Sequence, residues 1–156
     1  SGGCSSRLFQ KIREKRGLVY SIGSSSACYL DAGFLAVTAS CSVEHAEEVV
    51  DLISRELRLL KRKGITAKEL DRAIQQAKGN LLLATESSGE RMIRNAQNEI
   101  YFARRIPIKE VLAAVDGVTV EDVNAVAREI LRDSAMNFLA VGPFEKHKLN
   151  VNVSVG

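Results

Sequence analysis

At 156 residues, the chain is long enough for one domain that buries roughly 68–70% of its unfolded surface. Its hydrophobic fraction of 46% and charged fraction of 26% are those of an ordinary globular protein, and no apolar run is long enough to span a membrane. The net charge of +3 is too small to indicate a nucleic-acid partner, and three cysteines without a CxxC pair argue for reduced core thiols rather than a disulfide framework or a cysteine zinc site.

A short helix and two strands are predicted at the start of the chain. Ser5 or Ser6 can cap the helix, whose apolar stripe is Leu8, Phe9 and Ile12. Gly17 suits the left-handed position just past its end. Two strands follow, joined by a turn at Asp31-Ala32-Gly33: Leu18–Tyr29 and Phe34–Cys41.

Helical spacing and capping residues then predict five helices. Ser42 is expected to cap the first, and Thr66-Ala67-Lys68-Glu69 is a capping box for the second. The predicted spans run from Ser42 to Gly64, Thr66 to Glu86, Ser87 to Arg105, Pro107 to Gly117 and Thr119 to Leu131. A last strand is predicted at Asn137–Val141. Strands, then helices, then a strand predict an α+β fold, in which helices pack on one face of an antiparallel sheet.

The predicted domain covers residues 1–143, and residues 144–156 form a tail. Three strands are few for this many helices, so we expect an N-terminal truncation that removed a further strand. The chain opens without an initiator Met and shows no signal peptide. The compartment therefore stays open, with the cytoplasm as the expectation. The tail alternates apolar and polar residues from Leu149 to Val155, as an edge strand does. It could equally be an end that depends on where the chain was cut.

The reversal at Gly17 can bring Arg13 and Tyr20 to one end of the sheet. A guanidinium and a phenol can both donate hydrogen bonds to a developing negative charge or to a substrate backbone. Residue chemistry alone favours structural roles for both residues. Tyr20 could be a half-buried strand aromatic, and Arg13 a cation that opposes the helix dipole.

Six motifs in order resemble the second domain of the pitrilysin–insulinase family, closest to its bacterial processing-peptidase branch. They are Gly-Gly-x-Ser-Ser-Arg-Leu-Phe from Gly2 to Phe9, Ile12–Ser21, Asp31–Gly33, Glu69–Ala73, Lys78–Leu82 and Val141–Pro143. The resemblance implies a domain of this family's metallohydrolase-like fold. It also implies an inverzincin metalloendopeptidase that hydrolyses peptides or unfolded polypeptides. In that family zinc is bound by an H-x-x-E-H motif of the first domain.

Within this family, the second domain contributes an arginine and a tyrosine that face the zinc site, and Arg13 and Tyr20 match that pair. The resemblance thus implies that they bind substrate, while no catalytic residue lies in the fragment and it is inactive alone. The implied partners are the missing N-terminal zinc domain, a peptide substrate and a second chain in a homodimer or heterodimer. The alternative is a non-catalytic assembly or binding subunit, as in processing-peptidase partner chains or respiratory-complex core proteins.

No metal site is expected in this chain, so zinc would belong to the intact enzyme alone. The nearest approach to the zinc motif is His45-Ala46-Glu47-Glu48-Val49, where Val49 takes the place of the second histidine. We expect His45 to be solvent-exposed, and His147 in the tail suggests no partner. A domain that normally packs against another should also expose an apolar surface.

Overall fold

The computed structural model describes residues 6–144 and 149–156. The first motif therefore lies partly outside the described residues, and Cys4, Ser5 and His147 lie wholly outside them. Contacts divide the chain into two compact units, one of residues 1–63 and 127–156 and the other of residues 64–126. Within the described residues, no helix combines the length and apolarity needed to cross a bilayer.

The first unit begins with the opening helix, Phe9–Glu14, which is wound as a π-helix. The hydroxyl of Ser6 accepts a hydrogen bond from the Phe9 backbone N–H at 3.3 Å, which confirms the predicted serine cap. Phe9 and Ile12 are buried. The chain then reverses and enters strand β1, Ser21–Cys28, which pairs antiparallel with strand β2, Gly33–Ser40. The register joins Ser21 to Ser40 and Cys28 to Gly33, so the two strands pair along their whole length without a bulge. We call this two-stranded sheet the ribbon.

The long helix α1, Ala46–Lys63, follows β2 after a short 3₁₀ turn, Val43–His45. Its buried face contributes to two apolar clusters. The first cluster contains Phe9, Ile12, Val19, Ile22 and Val49, with Leu52 and Ile53 of α1 packed against it. The second contains Ala127, Leu131 and Val155, with Leu57, Leu60 and Met136 against it. One amphipathic helix thus supports both the ribbon and the end of the chain.

The second unit is helical. It contains α2 (Ala67–Ala84), α3 (Ser88–Phe102), α4 (Ile108–Asp116) and the first part of α5 (Val120–Ile130). The predicted capping box of Thr66 and Glu69 is present, and Ser87 caps α3 through the Glu90 N–H. Lys78 of α2 forms an ion pair with Asp116 of α4 at 2.8 Å. The Asn124 side chain accepts a hydrogen bond from the Ile65 N–H, which ties α5 to the start of α2.

The strand predicted at Asn137–Val141 is wrong, because the structure has no regular element there. Leu139 and Val141 are almost fully exposed, although a short apolar run is typical of a strand. A strand needs a neighbour to pair its backbone N–H and C=O groups, and the sheet of the described residues contains only β1 and β2. The mixed α+β fold itself is confirmed.

The described tail, residues 149–156, also forms no strand, but it is not loose. Val155 is buried in the second cluster, and its N–H donates to the Asp133 carboxylate at 2.6 Å. That bond is the main reason why the pKa of Asp133 lies below its usual value. The Asn150 N–H donates to Glu47 at 2.7 Å. These contacts anchor the end of the chain in the first unit, and the predicted domain bounds stay a prediction.

Candidate functional site

The opening helix is fixed to α1 by contacts between residues far apart in the sequence. Lys11 forms an ion pair with Glu56 at 2.7 Å, and Arg16 forms one with Glu48 at 2.9 Å. Beneath these pairs, Ile12 is fully buried in the first apolar cluster. The segment that carries Arg13 and leads to Tyr20 is therefore attached to the main helix of its unit at both ends.

Gly17 makes the reversal between the opening helix and β1. Its φ of 63° is the left-handed conformation that glycine adopts without steric cost, as predicted. The Gly17 N–H donates to the Arg13 carbonyl at 2.9 Å, which closes the helix in the way of a left-handed cap. The chain then extends, and the Tyr20 N–H donates to the Ser40 carbonyl at 2.7 Å. This bond adds one more backbone hydrogen bond between the two strands.

Tyr20 is 75% exposed, so little of its ring is available for core packing. The half-buried aromatic that residue chemistry left open does not describe it. Its neighbours Val19 and Ile22 are buried instead and hold the backbone on either side. A fixed backbone with an exposed phenol is the arrangement that a binding role needs.

Arg13 is also exposed, and its guanidinium carbon lies 4.9 Å from the centroid of the Phe9 ring. That distance is within the range of a cation–π contact. The Phe9 ring is anchored in the core, so it gives the long arginine side chain a preferred position. Arg13 also lies in the last turn of the opening helix, where a cation opposes the helix dipole. That Arg13 and Tyr20 act on one substrate stays a prediction.

A small cleft lies beside Tyr20. It has a volume of about 190 Å³ and is lined by Gly17, Leu18, Val19, Tyr20, Ser42 and His45; we call it the Tyr20 cleft. Arg13 is not among these lining residues. The cleft forms because the pairing of Ser21 with Ser40 places the segment before β1 next to the segment after β2. Residues 17–20 provide one wall, and Ser42 and His45 provide the other.

Sequence analysis did not find the second wall of the cleft. It assigned the Ser42 hydroxyl to helix capping, but Ser42 makes no side-chain cap bond, and its backbone carbonyl accepts from the His45 N–H instead. His45 is exposed, as predicted, but on the 3₁₀ turn rather than on the long helix. The signal that could have found both was the predicted hairpin, whose two strands have eight residues each in the structure. In a hairpin of equal arms, the residues that flank the open end are neighbours.

The described residues are poorly suited to bind a metal ion. No group of three or more histidine, cysteine, aspartate or glutamate side chains lies close enough together to hold a metal in residues 6–144 and 149–156. Val49, at the position of the second histidine in the broken zinc motif, is buried in the first apolar cluster. The described residues therefore do not fit a zinc ion.

The two described cysteines have different surroundings. Cys41 packs against the first apolar cluster, and burial raises the pKa of its thiol, which disfavours the reactive thiolate. Cys28 is exposed at the end of β1, so its prediction as a core thiol is wrong. Cys28 lies beside the turn of the ribbon, where Tyr29 and Leu30 are exposed as well. Neither cysteine lines the Tyr20 cleft.

Comparison with known proteins agrees with the motifs. Residues 1–77 match the sequence model of the family described as the Peptidase M16 inactive domain. The chain contains an M16 inactive domain. This confirms the resemblance to the non-zinc domain of the pitrilysin–insulinase family, and the matched segment includes Arg13, Gly17, Tyr20, Ser42 and His45.

Curated relatives of this M16 domain carry the names of uncharacterized zinc proteases. The uncharacterized zinc protease YmxG of Bacillus subtilis is 36% identical over 132 residues, which are 85% of this chain and 32% of YmxG. The uncharacterized zinc protease Rv2782c of Mycobacterium tuberculosis is 41% identical over 130 residues, which are 83% of this chain and 30% of that protein. The chain thus spans about a third of the length of these relatives.

Solved structures show the same fold. A peptidase M16 inactive domain from Pseudomonas fluorescens aligns with a TM-score of 0.69 and 23% identity, over 82% of this chain and 30% of the other. A chain of complex III2 from Candida albicans aligns with a TM-score of 0.71 and 21% identity, over 80% of this chain and 30% of the other. At such identities the likeness shows the fold and not the activity.

Proposed function

We propose that this domain is the substrate-binding, non-zinc part of a zinc endopeptidase that hydrolyses peptides or unfolded polypeptides. The observation that carries the proposal is the exposed Tyr20 phenol on a fixed backbone, at the position of the family's substrate-facing tyrosine. The names of the relatives support a protease in the intact protein. Zinc would be bound by another domain, and the fragment alone would be inactive.

The proposed role of Tyr20 is to donate a hydrogen bond to the substrate carbonyl oxygen as water attacks and negative charge builds there. Arg13 holds the substrate backbone through its planar set of donors, which also carries positive charge. Because Arg13 would contact the substrate before and during the reaction, its loss should weaken binding as well as turnover. Tyr20 would thus stabilise the developing charge, whereas Arg13 would hold the substrate.

Replacing Tyr20 tests this proposal. In the intact protein, Tyr20→Phe should lower turnover about 100- to 1000-fold, or roughly 2.7–4 kcal/mol, which is typical for loss of an oxyanion donor. Tyr29→Phe is the matched control, because Tyr29 is 60% exposed at the other end of β1 and should leave turnover unchanged. Turnover, Michaelis constant and bound zinc are measured together. Near-normal turnover by Tyr20→Phe, with zinc retained, would return Tyr20 to a structural role.

Arg13 provides the second arm of the test. Arg13→Ala should raise the Michaelis constant and lower turnover, whereas zinc content should stay constant. Arg13→Lys should fail to restore the native values, since a point charge cannot reproduce the two-pronged geometry of a guanidinium. Full recovery with lysine would mean that only the charge at this position matters.

The proposed partners are the remaining zinc domain of the intact protein and a second chain in a homodimer or heterodimer. Exposed apolar side chains support an interface in each unit: Tyr29, Leu30, Phe34 and Leu35 in the first, and Leu83, Met92, Ile100 and Phe102 in the second. Sedimentation of the isolated chain at high concentration should show self-association. A monodisperse monomer would contradict this expectation.

A non-catalytic assembly subunit is the alternative function. The support for it is the fold that this chain shares with a chain of complex III2 from Candida albicans. The two functions differ in the rest of the intact protein. An H-x-x-E-H motif there supports the peptidase, whereas its absence supports the assembly subunit.

A further inference from the structure

The Tyr20 cleft is too small for a cofactor and of suitable size for one peptide side chain. Its volume is about 190 Å³, whereas pockets for drug-sized ligands hold about 300–1,000 Å³. It opens beside the exposed phenol that the proposed function directs at the substrate. A peptide held by Tyr20 would therefore place a neighbouring residue at the mouth of the cleft.

The lining of the cleft is polar but carries no fixed charge. Its lining residues with hydrogen-bonding side chains are Tyr20, Ser42 and His45, and no lysine, arginine, aspartate or glutamate is among its lining residues. Phenol, hydroxyl and imidazole groups can all form hydrogen bonds with uncharged polar side chains. A charged substrate side chain would lose hydration here without meeting an opposite charge, whereas an amide or hydroxyl would find both donors and acceptors.

Two features hold the walls of the cleft in place. Val19 at its base and Val49, four residues beyond His45, are buried in the same apolar cluster, which ties the two walls together. The Tyr20 N–H to Ser40 carbonyl bond fixes the register between the walls. The Ser42 hydroxyl makes no cap hydrogen bond. Polar groups fixed in this way can select a substrate side chain.

We infer that the Tyr20 cleft is a subsite for one uncharged polar side chain of the bound peptide, such as asparagine or glutamine, and that His45 and Ser42 determine this specificity. The inference rests on the proposed peptidase function. Tyr20 acts at the carbonyl that is attacked, whereas His45 and Ser42 contact a neighbouring residue and are not catalytic.

Peptides that differ at one position test this assignment in the intact protein. Glutamine, glutamate, lysine and leucine are placed in turn at each position on either side of the cleaved bond, and kcat and KM are measured. At one position, the native protein should prefer glutamine to the other three. His45→Ala should reduce that preference about two- to tenfold, which is the worth of one net hydrogen bond, mainly through KM. Ser42→Ala should reduce it at the same position by a smaller factor.

Control variants separate recognition from folding. His45→Gln retains a donor and an acceptor and should restore part of the preference, whereas Gln76→Ala, at an exposed position on α2, should change nothing. A uniform loss by His45→Ala for all four peptides would overturn the subsite, as would a native preference for glutamate, lysine or leucine at every position. If Tyr20→Phe loses turnover while His45→Ala keeps the preference, the subsite is wrong and the proposed function stands. If the intact protein cleaves no peptide, both are wrong.

Discussion

Each end of the β1–β2 ribbon carries an exposed tyrosine, but the residues that surround the two tyrosines differ. At the near end, where β1 begins and β2 ends, Tyr20 lies between buried residues and beside the opening helix and the 3₁₀ turn of α1. At the far end, Tyr29 begins the turn, its N–H donates to the Ala32 carbonyl, and Leu30 and Phe34 are exposed with it.

The comparison separates residue type from surroundings. Both tyrosines are exposed, but the first buried cluster and the Tyr20 cleft of the described residues lie at the near end. A side chain on a fixed backbone loses less conformational entropy on binding than one on a free turn. This difference supports the proposed substrate site at the near end, while the exposed apolar residues of the far end support the proposed interface.

The largest expected effect is the loss of the buried cluster at the near end. Ile12 is fully buried, so Ile12→Ala should destabilise the chain by about 2–5 kcal/mol, because it removes apolar contacts and leaves a cavity. Leu30 at the far end is 77% exposed, and Leu30→Ala should change the free energy of unfolding by less than about 0.5 kcal/mol. Chemical denaturation of both variants measures the difference. Equal effects would mean that the ends are not anchored differently.

Much of the near end could be predicted from the sequence, because its signals are local. A serine three residues before an apolar stripe indicated the start of the helix, and glycine indicated the left-handed residue at its end. Two strand-like stretches joined by the turn residues Asp31-Ala32-Gly33 indicated the hairpin. The capping box at Thr66 and Glu69 was predicted for the same reason and is present. Each of these features is decided by a few neighbouring residues.

The errors arose where a partner distant in sequence decides the outcome. Asn137–Val141 has the pattern of a strand, but a strand forms only where another strand pairs with it. Ser42 has the pattern of a cap, but its backbone carbonyl makes the bond to His45 and leaves the hydroxyl to the cleft. The cleft needs two segments that the hairpin brings together, so no single stretch of sequence encodes it. Arg13 and Tyr20 were proposed from a family resemblance, since exposure cannot be deduced from residue type.

A smaller effect is expected at the turn that joins the opening helix to β1. Gly17→Ala places a side chain in the left-handed conformation and should cost about 1–2 kcal/mol, although the space around it is open. Gly79→Ala is the same chemical change inside α2, also in open space, and should stabilise the chain by up to about 1 kcal/mol. Opposite signs in thermal or chemical unfolding would show that backbone conformation, and not the added methyl group, sets the cost. Destabilisation by both variants would contradict this.

The smallest expected effect comes from the ion pair that ties the near end to α1. The side chains of Arg16 and Glu48 are both about half exposed, at 48% and 49%. Exposed pairs contribute only about 0.2–1 kcal/mol, because water and salt screen the charges and two long side chains must be ordered. Arg16→Ala, Glu48→Ala and the double variant form a cycle whose coupling energy should fall in this range at low salt and decline toward zero in 1 M salt. A coupling that persists in high salt would mean that the pair is more deeply buried than its exposure indicates. If the coupling is small, as expected, the apolar contacts of Ile12 and Val19 are the main interactions that hold the near end in place.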